Sequence, residues 1–214
     1  GASFSSFRSD YGTVAEDAVT IGMKSDRAAL EWDLDQLPGW LHRVKLRASQ
    51  TDYQHTEFED GEPGTVFKNT GHDIRLVAHH AKLGPWEGVL GLHSEDVRFS
   101  ADGAEAFAPY SHSTQTAVFA FEELPLAWGR ISLGARMESV QVASSGNPQV
   151  ARFVPASRSF NPHSVALGVL WNARPDWQLT TNLAYTERAP KDYELFANGP
   201  HLATNAYEVG NSQF

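Results

Sequence analysis

The sequence has no cysteine, which excludes a disulfide framework and any metal site built on thiolates. Basic residues are in the minority. Lys and Arg number 17 against 26 Asp and Glu, and the formal net charge of -9 argues against a nucleic-acid-binding surface. No run of about eighteen apolar residues occurs, so no transmembrane helix is predicted. Barrel strands are not excluded by this test, because alternating residues give a much weaker hydropathy signal.

Catalytic motifs are also missing. No serine lies in a Gly-x-Ser-x-Gly elbow, and the sequence contains neither a Gly-x-x-x-x-Gly-Lys loop nor a His-Glu-x-x-His helix. We therefore predict that the protein is not an enzyme and has no covalently bound cofactor.

Alternation of apolar and polar residues, the period of a β-strand, runs through most of the 214 residues. It is clearest from Arg43, where Val44, Leu46 and Ala48 alternate with basic residues. About nine strands are predicted, over 2–9, 21–35, 43–59, 73–79, 86–95, 117–121, 130–138, 165–171 and 179–185. The alternation predicts an all-β, antiparallel, up-and-down sheet that extends over 1–214 as a single domain.

Two kinds of connection alternate along the chain. Polar connections are predicted over 10–17, 60–64, 100–111 and 144–162, whereas the other turns are short and contain proline. Each short turn ends in or beside a tryptophan: Trp40, Trp86, Trp128 or Trp177. Aromatic residues at one end of every hairpin are typical of the interfacial girdle of a membrane barrel. In the alternative, a soluble β-sandwich binding module, each tryptophan would close one end of a core.

Histidine is the residue that points to chemistry, with nine copies in a chain without cysteine. Neutral imidazole together with carboxylate is a ligand set that zinc accepts. His55, Glu57 and Glu59 share one strand face at the loop end, and His201 lies in a turn that strand parity places at the same end. His79 and His93 are further candidates on the polar face. For each of them the competing interpretation is a wall residue that only forms hydrogen bonds.

The C-terminal stretch carries a resemblance to a known family. A strand ends in Glu187-Arg-Ala-Pro190, where proline removes a backbone donor, and a helical turn follows over Tyr193-Glu-Leu-Phe196. Gly199-Pro-His-Leu-Ala-Thr204 and Glu208-Val-Gly-Asn211 complete the pattern. This order of motifs resembles the barrel signature of TonB-dependent outer-membrane receptors. Together with the alternating connections, the resemblance predicts an all-β, antiparallel, up-and-down transmembrane β-barrel, present as a single-domain fragment over 1–214.

The resemblance implies a bacterial outer-membrane protein in contact with outer-membrane lipid. It also implies a larger barrel with an N-terminal plug that contacts a TonB-type energy-coupling protein. Neither the plug nor the closing strands are recognisable in this sequence, so we expect it to be a piece of a longer protein.

Further motifs, 52–61, 65–69, 99–110 and 152–160, resemble the branch that includes the neisserial zinc-uptake receptor. In that branch zinc binds between plug and barrel, which implies His201 and one of Glu57 or Glu59 as barrel ligands and zinc as the transported ligand. The alternative within the family is a receptor for an iron–siderophore, haem or cobalamin. Aromatic and arginine side chains would then bind the ligand: Tyr53, Tyr110, Arg152 and Arg158.

Overall fold

A computed structural model describes residues 1–13, 18–201 and 206–214. Its strands are β1 (Ala2–Gly12), β2 (Val19–Asp35), β3 (Leu41–Glu59), β4 (Glu62–His80), β5 (Glu87–Asp102), β6 (Tyr110–Leu126), β7 (Gly129–Gly146), β8 (Pro155–Phe160), β9 (His163–Arg174), β10 (Trp177–Thr186), β11 (Asn198–His201) and β12 (Ala206–Val209). One short helix, α1 (Asp192–Phe196), lies between β10 and β11. No helix in the described ranges is long and apolar enough to cross a membrane.

Ten strands form one antiparallel sheet in which consecutive strands are neighbours from β1 to β7, followed by β9 and β10. Strand β7 changes partner along its length, pairing with β9 up to Met137 and with β8 from Val140 onward. Strands β11 and β12 form a separate hairpin. This up-and-down order confirms the predicted all-β antiparallel architecture.

Strand β8 was not predicted, because residues 144–162 were interpreted as one long connection. The structure instead pairs Pro155–Phe160 with β7, and β8 runs almost in line with β9. Pro155 begins β8 and Pro162 lies two residues after its end. Both lack the amide donor that a continuous ladder requires, so the sequence resembles a loop there.

The prediction for the connection between β3 and β4 was also wrong. A loop over 60–64 was expected, whereas the structure has a two-residue turn at Asp60 and Gly61, both with positive φ, at 50° and 84°. Positive φ at both central residues is the geometry of a type I′ hairpin, which favours Asp-Gly. The two strands therefore pair almost to the turn, up to Glu59 and Glu62. Of the predicted connection over 10–17, residues 10–12 belong to β1 and 14–17 lie outside the described residues.

One face of the sheet carries a continuous apolar band. Its exposed members include Leu30, Trp32, Ile74, Leu90, Leu92, Val118, Leu133, Met137, Val165, Leu167, Trp171, Leu179, Leu183 and Tyr185. Leu92 is 52 % exposed and Met137 66 % exposed, so this face is not the core of a sandwich in the described structure. Trp40, Trp128 and Trp177 lie exposed at the end with the short turns, which we call the turn end.

The apolar band has a defined limit toward the opposite end, which we call the loop end. Beyond it, the next positions on the same face are polar in β1 to β7 and β9 and directly after β10: Ser6, Asp26, Gln50, His72, Ser94, Thr116, Ser139, His163 and Glu187. From Leu41 at the start of β3 to Gln50 is ten residues. A membrane β-strand needs about 9–11 residues to cross the hydrocarbon core. Strand β3 then continues to Glu59, beyond the apolar band.

The inner face, opposite the apolar band, is lined by ion pairs. Arg43 pairs with Asp33, and Glu31 pairs with both Lys45 and Arg47. Further along the sheet, His93 contacts Asp73 at 2.6 Å and Arg136 pairs with Glu138. Charged rows on this face and an apolar band on the other are the alternation of a barrel with a polar interior.

Residues after β10 fold back onto the inner face. Leu195 of α1 is 1 % exposed and packs against Val140 and Val142 of β7. Arg188 donates two hydrogen bonds of 2.6 Å to the carboxylate of Glu194, whose side chain also accepts from the amide of Lys191. We call residues 188–201 and 206–214 the folded-back segment. It contains the β11–β12 hairpin, which lies at the loop end of the sheet.

Candidate functional site

The predicted ligands of β3 lie at the loop end, beyond Gln50 and therefore outside the apolar band. Glu57 is 6 % exposed, while Glu59 at the strand end is exposed. The β3–β4 register shifts between Thr56 and Phe58, so Glu57 occupies an irregularity in the ladder. The two carboxylates therefore differ in environment although they are two residues apart.

His55 is held by aromatic rings. It lies opposite Phe67 of β4, and the two rings stack at a centroid distance of 4.5 Å and an interplanar angle of 16°. The Tyr53 ring meets it edge-on at 5.6 Å. Nδ1 of His55 is buried and has no hydrogen-bond partner among the described residues. Burial, aided by the nearby His201, lowers the pKa of His55, which favours the neutral imidazole that metals bind.

His201 reaches the same region from the β11–β12 hairpin. Its ring stacks on Phe107 at 4.3 Å and 11°, and Nδ1 lies 2.7 Å from Oε1 of Glu208. Phe107 and Phe67 are 6.1 Å apart, centroid to centroid. The two histidines are thus connected through two phenylalanine rings. Residues 202–204 of the predicted Gly199–Thr204 turn lie outside the described residues, and 199–201 belong to β11.

Glu57 has the strongest electrostatic perturbation in this region. The pKa of Glu57 is raised to about 7, chiefly by burial and then by the Glu105 carboxylate, with a smaller contribution from Glu59, while His201 lowers it. Glu57 therefore interacts with His201 and with both other carboxylates. Histidine and acidic side chains from a strand, a loop and the hairpin converge at the loop end.

No group of three or more histidine, aspartate or glutamate side chains in the described ranges is arranged to hold a metal ion. The structure brings His55, Glu57 and His201 into one neighbourhood, with Glu59 at its exposed edge. Glu105, Phe67 and Phe107 were not among the predicted site residues. The loop over 103–109 folds back over the strand face, and no periodic pattern in the sequence signals that contact.

The other histidine candidates lie elsewhere. His93 contacts Asp73 through Nε2, and Arg136 donates to its Nδ1 at 3.2 Å, which leaves both ring nitrogens engaged in the wall network. His79 lies opposite Arg43 at the turn end. These two positions fit the wall-residue interpretation rather than a shared site with His55.

The residues expected for a siderophore-type pocket are mostly engaged with the protein itself. The hydroxyl of Tyr110 donates to Asp102. Arg158 donates to the carbonyl oxygen of Ser212 at 2.8 Å, and Arg152 donates to the carbonyl oxygens of Ala106 and Asn198. Both guanidinium groups bind main chain in this structure.

A cavity of about 770 Å³ lies on the inner face beside this region. Tyr53, Phe99 and Phe107 line one part, Glu95 belongs to the wall, and Arg188 and Tyr193 of the folded-back segment line another. Because Phe107 also contacts His201, the cavity adjoins the histidine pair.

An antiparallel sheet with an exposed apolar band, a girdle of tryptophans and a charged inner face defines a transmembrane β-barrel wall. The family model described as TonB dependent receptor-like, beta-barrel matches residues 1–214. The chain therefore belongs to the TonB-dependent receptor family, and its sequence forms part of that barrel.

A solved structure, the copper transporter OprC, has the same fold. The two superpose with a TM-score of 0.71 at 14 % sequence identity, and the match covers 92 % of this chain. It covers 38 % of the transporter, so this chain spans well under half of that protein's length. At this identity the likeness shows the fold alone.

Proposed function

We propose that the protein acts in the bacterial outer membrane as a TonB-dependent importer of a scarce nutrient, and that this nutrient is zinc. The observation that carries the proposal is the convergence of His55, Glu57 and His201 at the loop end, on the polar face of a membrane barrel wall. Family membership supports energy-coupled uptake. The convergence supports a metal ion as the cargo.

The chemistry of the donors favours a borderline divalent cation. Zinc binds neutral imidazole nitrogen and carboxylate oxygen, usually with four ligands. Nδ1 of His55 supplies a buried nitrogen without a hydrogen-bond partner among the described residues. The carboxylate of Glu57 is raised in energy by its burial and by neighbouring carboxylates, which a bound cation would relieve. His201 adds a second imidazole.

In the proposed mechanism the barrel contributes a partial ligand set, and the expected plug completes it. Zinc would first bind among the loops, the inner face and the plug. An energy-coupling protein of the TonB type would then pull on the plug and open the polar passage along the charged wall. Binding, orientation and release are the protein's tasks, and no bond of the cargo is broken.

Calorimetric titration of zinc chloride into the full-length receptor in detergent tests this proposal. We expect micromolar or tighter binding that is lost in His201→Ala and in Glu57→Ala/Glu59→Ala. His112→Ala is the matched control, since this histidine contacts Asp96 through Nε2 beyond the apolar band on the opposite face. The control should bind zinc as the parent does.

The outcomes of the titration test the proposed cargo without testing family membership. If the parent takes up no zinc, the zinc proposal is wrong, while family membership stands. An iron–siderophore, haem or cobalamin would then be tested as cargo in the same titration. If zinc binds but the His201 and glutamate variants bind equally well, zinc occupies a different site and the proposed ligands are wrong.

A further inference from the structure

We propose that Arg152 is a positioning residue that sets His201 against the β3 half of the site; this inference rests on the proposed function. Arg152 lies in the connection between β7 and β8, in neither of the elements that carry the histidines. Its role would be to hold the β11–β12 hairpin in place, with no contact to the cargo.

The guanidinium group of Arg152 connects three chain segments. Its Nε donates to the carbonyl oxygen of Asn198, at the start of β11. Its Nη2 donates to the carbonyl oxygen of Ala106 at 2.8 Å, in the loop between β5 and β6. The group also lies 4.9 Å from the ring centroid of Phe153, which is buried. Hydrogen bonds from a charged donor are stronger than neutral ones, so this connection resists opening.

The hairpin and the loop meet directly where Arg152 connects them. The amide of Asn198 donates to the carbonyl oxygen of Phe107 at 2.8 Å. A Cβ atom on Gly199 would lie 2.7 Å from Cα of Phe107 and 2.8 Å from Nη2 of Arg152, so only glycine permits this approach. Two residues further on, the His201 ring stacks on the Phe107 ring. The place of His201 thus depends on this junction.

The loop that receives the hairpin is itself fixed to the strand that faces His55. Phe67, Ala101, Ala106 and Phe153 form a small buried core, with Phe107 packed against it. Asn147 donates to the carbonyl oxygen of Ala101 at 2.9 Å and closes the same cluster. Because Phe67 stacks on His55, the cluster relates the two halves of the site. Arg152 is the charged connection between this cluster and the hairpin.

Arg158→Met provides a matched control for Arg152→Met. Arg158 also donates to a main-chain carbonyl oxygen of the folded-back segment, at Ser212, away from His201. In the full-length receptor in detergent we expect Arg152→Met to weaken zinc binding about tenfold or more. Arg158→Met should change the affinity about twofold or less. Gly199→Ala should reproduce the Arg152 effect while leaving every charge in place.

Two further measurements distinguish positioning from a general loss of structure. With saturating Co²⁺ as the probe, Arg152→Met should give the altered visible spectrum of His201→Ala, because the same imidazole is displaced. Exchange of the Asn198 amide, measured without metal, should accelerate in Arg152→Met and remain at the parental rate in Arg158→Met. An unchanged Asn198 exchange rate in Arg152→Met overturns the positioning role whether or not zinc binds.

Failure of the proposed function has a different signature. If the parent binds no zinc while Asn198 exchange still accelerates in Arg152→Met, the zinc cargo is wrong and the junction stands. If Arg152→Met loses zinc affinity with parental exchange and a parental cobalt spectrum, Arg152 contacts the cargo directly and the positioning role is wrong.

Discussion

Glu57 shows how a single buried carboxyl couples the site to pH. Its folded-state pKa of about 7 lies above the ordinary value of 4.5, so the folded chain favours the protonated form. The stability that this preference contributes is fully present below pH 4.5 and is lost as the pH rises through about 7. The same group that would bind a cation therefore costs stability when the site is empty and the pH is neutral.

Glu57→Gln should remove this dependence. We compare the two proteins in detergent with a zinc chelator. As the pH rises from 4.5 to 8, the midpoint temperature of thermal unfolding of the parent should fall below that of Glu57→Gln. Below pH 4.5 the two midpoints should coincide. With zinc in excess at pH 8 the order should reverse, because only the parent gains stability from a carboxylate ligand. Parallel unfolding curves across the whole pH range would contradict the assigned protonation of Glu57.

At the level of residues, the sequence predicted the identity of the converging side chains better than their surroundings. His55 and Glu57 follow from strand parity, and His201 follows from its motif. Phe67 and Phe107, which hold the two imidazoles, could not be predicted, because ring stacking between β3, β4 and a loop depends on how the loop folds. Arg152 entered only under the alternative of a siderophore-type cargo, and its guanidinium binds main-chain oxygens.

Helix α1 is a short element whose position depends on one buried side chain. With five residues it is too short to be stable in isolation. Leu195 anchors it between Val140 and Val142, while Glu194 accepts from Arg188 and from the Lys191 amide. The anchor fixes the start of the path that leads to His201.

Leu195→Ala should release this anchor. Truncating a buried leucine costs about 2–5 kcal/mol in a core, and here we expect the loss to appear as local opening of the folded-back segment. Hydrogen exchange over 192–201 should accelerate while exchange in β3 to β6 remains as in the parent. Tyr193→Ala, at a neighbouring position that is 48 % exposed, is the control and should change little. Uniform acceleration across the sheet would show that α1 supports the whole wall.

Strands were predicted correctly where the alternation of apolar and polar residues is strong. The predictions failed where proline occurs in or beside a strand. The strands from β2 to β7 were all predicted, although most of the predicted ranges are shorter than the strands in the structure. Strand β8 was missed, because its partner positions on β7 are determined by register and not by its own hydrophobic pattern. The predicted loop over 60–64 was too long, because a two-residue type I′ turn at Asp60 and Gly61 leaves Glu62 and Pro63 in β4.

At the scale of the whole molecule, the apolar band determines where the sheet meets lipid. Leu133 is 41 % exposed on β7 between Trp128 and Ser139, which places it inside the apolar band. Gln141 shares that strand and that face but lies beyond the limit of the band. A substitution at each of these two positions therefore compares two depths in the membrane on one strand and one face.

Leu133→Arg should destabilise the full-length receptor in phospholipid vesicles by about 2–4 kcal/mol, the cost of arginine near the midplane of a barrel. Gln141→Arg should cost about 0–1 kcal/mol, as expected near or beyond the interface. Urea unfolding monitored by tryptophan fluorescence measures both. Equal costs at the two positions would show that the apolar band does not face hydrocarbon.

The placement of the two histidines has a consequence for the order of folding. His55 lies on the third strand, whereas His201 follows the last strand of the sheet, 146 positions later along the chain. Closing so long a stretch of chain costs conformational entropy before the contact forms, so we expect this contact to form late in folding. A partly folded receptor therefore has both imidazoles but not their arrangement. Under the proposed function, cation affinity would mark the wall in which both imidazoles are in place, and a partly folded chain would not compete for metal with the folded receptor.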